Sequence, residues 1–566
     1  MLPMHIAESN RGSSRQFDAI IVGSGATGGC AAKVLCEGGL NVLLIEAGGD
    51  PAPAGDQPNK HVKLSRDCKH EVQSRCVAYN RHTREYFIDD EMNPYGTPAD
   101  KPFLWIRSQV VGGRTMLWAG QSYRMSDFDF KAARSDGFDQ EWPISYEELA
   151  PYYARAERIL AVRGTREKLP QLPDGDLLPS GVPDANASYL RSAFAKCGQA
   201  LIPARISAQS SGAAASFCVH CNRKDAGCSI PVSSVSSTLM DALKTGRLTL
   251  LSNTLVRYLV TDNAGKAIGV YAINKQTRQE SEFYGRLFFL CASTLESTRI
   301  MLNSVSRLHP AGFGNSSGTL GRYLMDHISG IAVTAVLEDQ DQSGGEQAGP
   351  PVQSLYVPRS QNLTENRTDV FLRGYGHQLT LLKANRFASS AGPSCGDALP
   401  SEGNAVQRPT FLEGKVIFRI QAFGEMLPRP ENYIEIDTSG KVDAWGIPVL
   451  KIHCAHGENE RRMAADMISN SLKLAEAASA KVVSVQKTLQ EPGLCIHETG
   501  TCRMGADPKR AMLNRYNQCH DALNVFVTDG SCFTSQGTQN PTLTMMALTI
   551  RAAEYALVQS RRNELR

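Results

Sequence analysis

The chain has 566 residues but no run of about 18 apolar ones, the least that crosses a bilayer as a helix, so no membrane-spanning helix is expected. Its first residues, MLPMHIAESNRGSSRQ, lack both the apolar centre of a secretory signal and an adjacent arginine pair. A cytoplasmic location is the expectation. Net charge is also scarce: sixty Lys and Arg against fifty-seven Asp and Glu leave +3, too little over this size for an electrostatic footprint on nucleic acid. Fifteen cysteines run from Cys30 to Cys532 without the dense, regular spacing of a disulfide scaffold, which fits a reducing compartment. No internal repeat is visible. Four N-x-S/T sequons, at Asn186, Asn315, Asn362 and Asn366, lack a secretory context and are read as chance. What is present, 42% hydrophobic and 21% charged residues, is the composition of a soluble globular protein with a large core, and it rules out disorder as the main state.

FDAIIV (17–22) reads as a buried strand, the glycine cluster after it as a turn, AAKVLCEGG as a helix and NVLLIE (41–46) as a second strand. Strand, turn, helix and strand within about 30 residues make a βαβ unit. The stretches 163–190, 339–351 and 388–405 are rich in Pro, Gly, Asp or Ser and read as surface loops. VQSLYV, TFLEGKVIFRIQAF and YIEIDT look like strands with no helix between them, which predicts an antiparallel sheet in the middle of the chain. In ENERRMAADMISNSLKLAEAA (458–478), Met463, Met467, Leu472 and Leu474 fall near helical spacing, so an amphipathic helix should cover that sheet. NVFVTDGS (524–531) is a strand with a small-residue turn, and PTLTMMALTIRAAEYALVQ (541–559) a helix opened by proline. One strand and one helix complete the first domain more readily than they fold alone.

Gly23-Ser24-Gly25-Ala26-Thr27-Gly28 is a G-x-G-x-x-G between a predicted strand and a predicted helix, with Glu46 ending the next strand 18 positions after Gly28. Such glycines allow a tight turn and close approach of a pyrophosphate, the helix N-terminus supplies N–H donors, and the carboxylate can accept from ribose hydroxyls. This predicts a dinucleotide site and leaves FAD and NAD both open. Ala47-Gly48-Gly49 and Val111-Gly112-Gly113-Arg114-Thr115-Met116-Leu117-Trp118-Ala119-Gly120 add further glycine segments, the second read as lining the cofactor.

The C-terminal third carries His497-Glu498-Thr499-Gly500-Thr501-Cys502-Arg503-Met504-Gly505, then Asp529-Gly530-Ser531, then Asn540-Pro541-Thr542. With the N-terminal fingerprint, and with WPISYEELAPYY, FFLCASTLESTRIMLNS, LGRYLMDH and GEMLPRPENYIEID between them, these segments resemble the glucose–methanol–choline (GMC) family of flavin oxidoreductases. The wording is closest to the branch of pyranose oxidases and glycoside 3-oxidases and 3-dehydrogenases. The resemblance implies α/β plus α+β architecture: a discontinuous Rossmann-like FAD domain (17–160, 215–306 and 491–566), a loop-rich excursion at 161–214, an antiparallel-sheet substrate domain (307–490) and a disordered leader (1–16). It implies FAD at Gly23, Gly25, Ala26, Thr27, Gly28, Glu46, Ala47, Arg107, Gly112, Gly113, Thr115, Trp118, Ala119, Val256, Ala292, Asp529, Gly530, Asn540, Pro541 and Thr542. Pyranose oxidases tether FAD through a histidine just before the tryptophan; Leu117 stands there, so the flavin is expected to be noncovalent.

By the same resemblance His497 is the base and Asn540 its partner. A secondary alcohol ionises too weakly to lose hydride without a nearby group to take its hydroxyl proton, and neutral imidazole titrates in the right range. The implied reaction oxidises a sugar or glycoside hydroxyl, best guess carbon 3 of a pyranoside, to a ketone. Hydride passes to flavin N5, and FADH2 is reoxidised by O2 or an electron-transfer partner. A choline-like, aromatic or aminoglycoside alcohol is the alternative substrate, with specificity in loops such as 339–410. A flavoprotein subunit without turnover is the alternative of another class. His220, His327, His377, His453, His456 and His520 are read as satisfied structural histidines, and Asn540 before Pro541 could also cap the last helix. Cys218, Cys221 and Cys228 with His220 could ligate zinc or an iron–sulfur cluster, but C-x2-C-x6-C lacks the usual fourth cysteine, and no metal is expected.

Overall fold

The computed structural model describes residues 16–51, 69–81, 83–181, 183–208, 231–337, 354–364, 366–383, 415–562 and 564. The loops at 339–351 and 388–405, the cysteines at 218, 221 and 228, and the leader apart from Gln16 lie outside the described residues.

Two sheets organise the chain. In the first, Leu248–Leu251, Val42–Ile45, Gln16–Val22, Glu280–Leu290 and Val525–Val527 run parallel in that order. Thr254–Thr261 and Ala267–Asn274 extend it as an antiparallel meander beside the first half of Glu280–Leu290. Its central strands are buried on both faces, as the all-apolar VLLI segment requires, and Ala26–Glu37 and Thr542–Arg561 share one core with them. The loops at the C-terminal ends of Val22, Ile45, Leu290 and Val527 therefore meet at one edge, where ligands of open α/β sheets bind.

The second sheet is antiparallel throughout: Ala480–Gln486, Ala332–Leu337, Val416–Gly424, Tyr375–Lys383, Ser354–Val357 and Ile202–Pro203. Val333, Ala335, Leu355, Leu379, Phe418 and Ile420 form its apolar face, which Leu474 and Ala475 of helix Glu458–Ala477 cover. By strand alternation the opposite face carries Gln378, Thr380, Arg419 and Gln421 together with Tyr356, Ile417 and Phe423. Gln378 lies opposite Gln421, and Thr380 opposite Arg419.

Two sequence expectations need correction. YIEIDT contributes Tyr433–Ile436, which pairs with Leu450–His453 in a separate two-stranded ribbon rather than joining the large sheet. The stretch 163–190 also contains the start of a helix, Ala185–Ala195, whose first turn is capped by the Asp184 carboxylate accepting from Ala187 N at 2.8 Å. Leu190 and Phe194 of that helix enter the core of the second sheet, an apolar spacing that the surrounding Pro and Gly obscured.

Candidate functional site

A cleft of about 1350 Å³, solvent mouth included, opens at the C-terminal edge of the first sheet. Gly23, Gly25, Ala26, Thr27, Glu46, Ala47, Arg107, Gly113, Thr115, Trp118, Val256, Ala292, Asp529, Gly530, Pro541 and Thr542 line it, together with His497. Gly28, Gly112, Ala119 and Asn540 do not. Ala119 is exposed, and Gly112 turns its N–H to Ser24 Oγ at 2.9 Å. Sequence reasoning passed over Ser24, Gln109, Arg114, Ser293, Thr294 and Glu498, which also line the cleft.

The three glycines of the first loop have different tasks. Gly23 sits at φ +96°, and a Cβ there would come 2.4 Å from the Cys291 carbonyl oxygen. A Cβ on Gly28 would lie 1.8 Å from the carbonyl oxygen of Gly23, so this glycine lets the helix close onto the strand. Around Gly25, at φ −65°, nothing lies within 4 Å of the Cβ position. That space, at the uncapped N-terminus of Ala26–Glu37, is where a pyrophosphate can approach backbone N–H groups. Glu46 braces the loop: one carboxylate oxygen accepts from Ser24 N and Oγ at 2.9 and 2.6 Å, the other from Gly48 N at 2.7 Å. Asp529 accepts from Ser531 N at 3.0 Å, and both its oxygens serve local serines. Arg107 is buried with its guanidinium 3.9 Å from the Trp105 ring, and burial lowers its pKa to about 10. Leu117 packs with Phe87, Ile106 and Leu494, so no nucleophile stands at the position where a covalent link would form. A long cleft, an open glycine and a helix N-terminus at one point, with a carboxylate at the end of the second strand, fit an extended dinucleotide such as FAD.

His497 stands at the edge of this cleft. Its N–H donates to Asp326 Oδ1 at 2.9 Å, and Gly493 N donates to Asp326 Oδ2 at 2.7 Å. Between them Ile496 is held at φ +63°, a left-handed conformation that costs a β-branched residue about 1–3 kcal/mol. Burial and the neighbouring Glu498 raise the Asp326 pKa to about 7. Arg114 pairs with Glu498 through two contacts, 2.6 and 3.0 Å, and lines the cleft.

The ring of His497 is contacted at both nitrogens. Nδ1 lies 2.9 Å from Nδ1 of His327, and Nε2 lies 3.1 Å from the Asn540 side-chain amide. His327 Nε2 contacts the Gly537 carbonyl oxygen at 2.9 Å. A carbonyl oxygen only accepts, so His327 carries its proton on Nε2 and offers a lone pair at Nδ1. His497 must then donate from Nδ1, which leaves the lone pair on Nε2. Burial holds His327 near pKa 4, and burial, His327 and Arg114 together keep His497 well below 6.5; both rings are neutral at neutral pH.

Several sequence readings change here. Asn540 does not cap the last helix: Pro541 holds the cap position without a side-chain bond, and the Asn540 amide is committed to His497 and Gln378. His327 is satisfied, but by His497, and so belongs to the site. His377 is buried with neither ring nitrogen bonded to any described residue, and burial lowers its pKa to about 3.

Two family profiles, both described as GMC oxidoreductase, match residues 17–329 and 428–549. A 2-methyl-1,2-propanediol dehydrogenase of Mycolicibacterium austroafricanum is 29% identical over 96% of this chain and 95% of its own length. The fructose dehydrogenase large subunit of Gluconobacter japonicus is 27% identical over 95% and 97%. Among solved structures, a formate oxidase of Aspergillus oryzae covers 98% of this chain and 100% of its own with TM-score 0.62 and 15% identity, a likeness of fold.

Proposed function

The chain belongs to the GMC oxidoreductase family, whose members oxidise a CH–OH group with FAD, and on that premise we propose that it oxidises a secondary hydroxyl of a sugar or glycoside, best guess carbon 3 of a pyranoside, to a ketone. One observation carries the choice of a polyhydroxylated donor. Gln378 Nε2 reaches Asn540 Oδ1 at 2.9 Å, so a pair of side-chain amides stands beside His497, whose ring lies 6.5 Å from that of Phe423. Paired amides next to one apolar ring match a donor with several hydroxyls on a carbon ring.

Noncovalent FAD would rest its pyrophosphate on Gly23–Gly28 and the helix N-terminus, its ribose near Glu46 and its adenine by Val256, with Thr115, Trp118, Pro541 and Thr542 towards the ring. When bound it supplies the two-electron acceptor for hydride leaving the carbinol carbon. The chain supplies the rest. His497 Nε2 accepts the hydroxyl proton, and the second amide hydrogen of Asn540 donates to the same oxygen as negative charge builds there. Burial first, then His327 and Arg114, keep the imidazole unprotonated before the donor arrives.

The test is to record the flavin spectrum of the purified protein and add methyl pyranosides, fructose or 2-methyl-1,2-propanediol without air. Bleaching by a methyl pyranoside, with a 3-keto product by NMR, is the expected result. Bleaching by the diol alone would favour the second reading, a small vicinal diol as donor, which rests on the 29% identical relative. Recovery of the yellow colour on admitting air marks O2 as acceptor; its absence marks a redox partner. A pH series adds an independent check. Because the His497 pKa is lowered from 6.5, flavin reduction should be flat from pH 8 to 6.5 and fall only below that. An acid limb centred above 6.5 would point to another base.

A further inference from the structure

We propose that Gln378, on strand Tyr375–Lys383 of the second sheet, is a positioning residue that locks the Asn540 amide and so backs the proton position on His497 that the Gly537 carbonyl sets through His327. The inference rests on the reading of His497 as base, and it follows from a chain of bonds whose direction is fixed at the Gly537 end and which closes on Gln378.

At one end the Gly537 carbonyl forces a proton onto His327 Nε2, and so onto His497 Nδ1. At the other end Asn540 must turn its Nδ2 towards the lone pair of His497 Nε2, 3.1 Å away. Its Oδ1 is then directed to Gln378, whose Nε2 donates at 2.9 Å. An amide is nearly symmetric in shape, so packing alone does not choose between its two orientations. The donor on Gln378 does choose. Without it Asn540 can reverse and present Oδ1 to His497, which rewards a proton on Nε2 and removes the base. The reversed state must also move the His327 proton to Nδ1, since two bare Nδ1 atoms would otherwise face each other at 2.9 Å. Gln378 itself is held by position. Its strand neighbours Gln421 and Tyr356 stand in register on either side, while the apolar residues of the same strand face the helix-covered core.

Gln378→Glu and Gln378→Lys separate this role from packing. The carboxylate only accepts and should reverse Asn540; the ammonium only donates and should preserve it. In 15N-histidine-labelled holoenzyme, with the His497 signals identified by their loss in His497→Gln, the expected result is protonated Nδ1 in wild type and Gln378→Lys and protonated Nε2 in Gln378→Glu. Anaerobic bleaching by methyl β-D-glucopyranoside should slow about 100-fold in Gln378→Glu, the scale of a lost general base, and much less in Gln378→Lys. Identical tautomers in all three proteins would overturn the proposal. The tautomer is read with no donor present, so failure of the sugar to bleach any of them bears on the substrate reading alone. A shifted tautomer with unchanged bleaching would overturn His497 as base and leave the positioning intact.

Discussion

Replacing His497 with alanine is expected to slow bleaching of the flavin by its alcohol about 10²- to 10⁴-fold, the range of a lost general base, while FAD remains bound. Retention follows from the wiring of the site. The substitution leaves the backbone bonds to Asp326 and from Gln536, and it leaves the Arg114–Glu498 pair that lines the cleft. It removes the imidazole whose lone pair is turned away from His327 towards Asn540. Stopped-flow absorbance under argon measures the rate, and the ratio of flavin to protein absorbance measures retention. A yellow variant reduced at the wild-type rate would remove His497 from the chemistry.

The second large effect belongs to Gly25. Its backbone angles suit any residue, and its Cβ position faces open space, so Gly25→Leu should fold and place its side chain where the cofactor's phosphates approach. Losing two charge-assisted backbone bonds, roughly 1.5–3 kcal/mol each, weakens FAD binding at least about 100-fold. A colourless protein whose apo form melts at the wild-type apo temperature is expected. Gly28→Leu should instead fail to fold, since its Cβ would overlap the Gly23 carbonyl. If Gly25→Leu stayed fully loaded with FAD, the loop would not be the phosphate cradle.

These two residues were legible in the sequence for different reasons. The glycine loop is a local device: strand, turn and helix lie within about 30 residues, and each part has a compositional mark. His497 and Asn540 were legible only through a resemblance, because the pairing spans 43 positions with no periodic signal. His327 was misread as merely structural for the same reason, its partner being 170 residues away. Gln378 gave even less warning. On an alternating strand a polar residue marks the face away from the core, and nothing local says whether that face meets water or a catalytic amide. Helix Ala185–Ala195 was missed where Pro and Gly dominate a short window, although Asp184 carried a usable cap signal.

The segment Met325–Ile328 bridges Thr499 at one end and Gly424 of the second sheet at the other. Within it Asp326 holds the backbone of His497 and His327 holds its ring, while Gln378 reaches the Asn540 amide beside that ring from the neighbouring strand. The cofactor cradle, by contrast, is built on the first sheet. The imidazole is therefore anchored from two sides at once, by the 325–328 segment and, through Asn540, by the second sheet, whereas the glycine loop is anchored to the first sheet through Glu46.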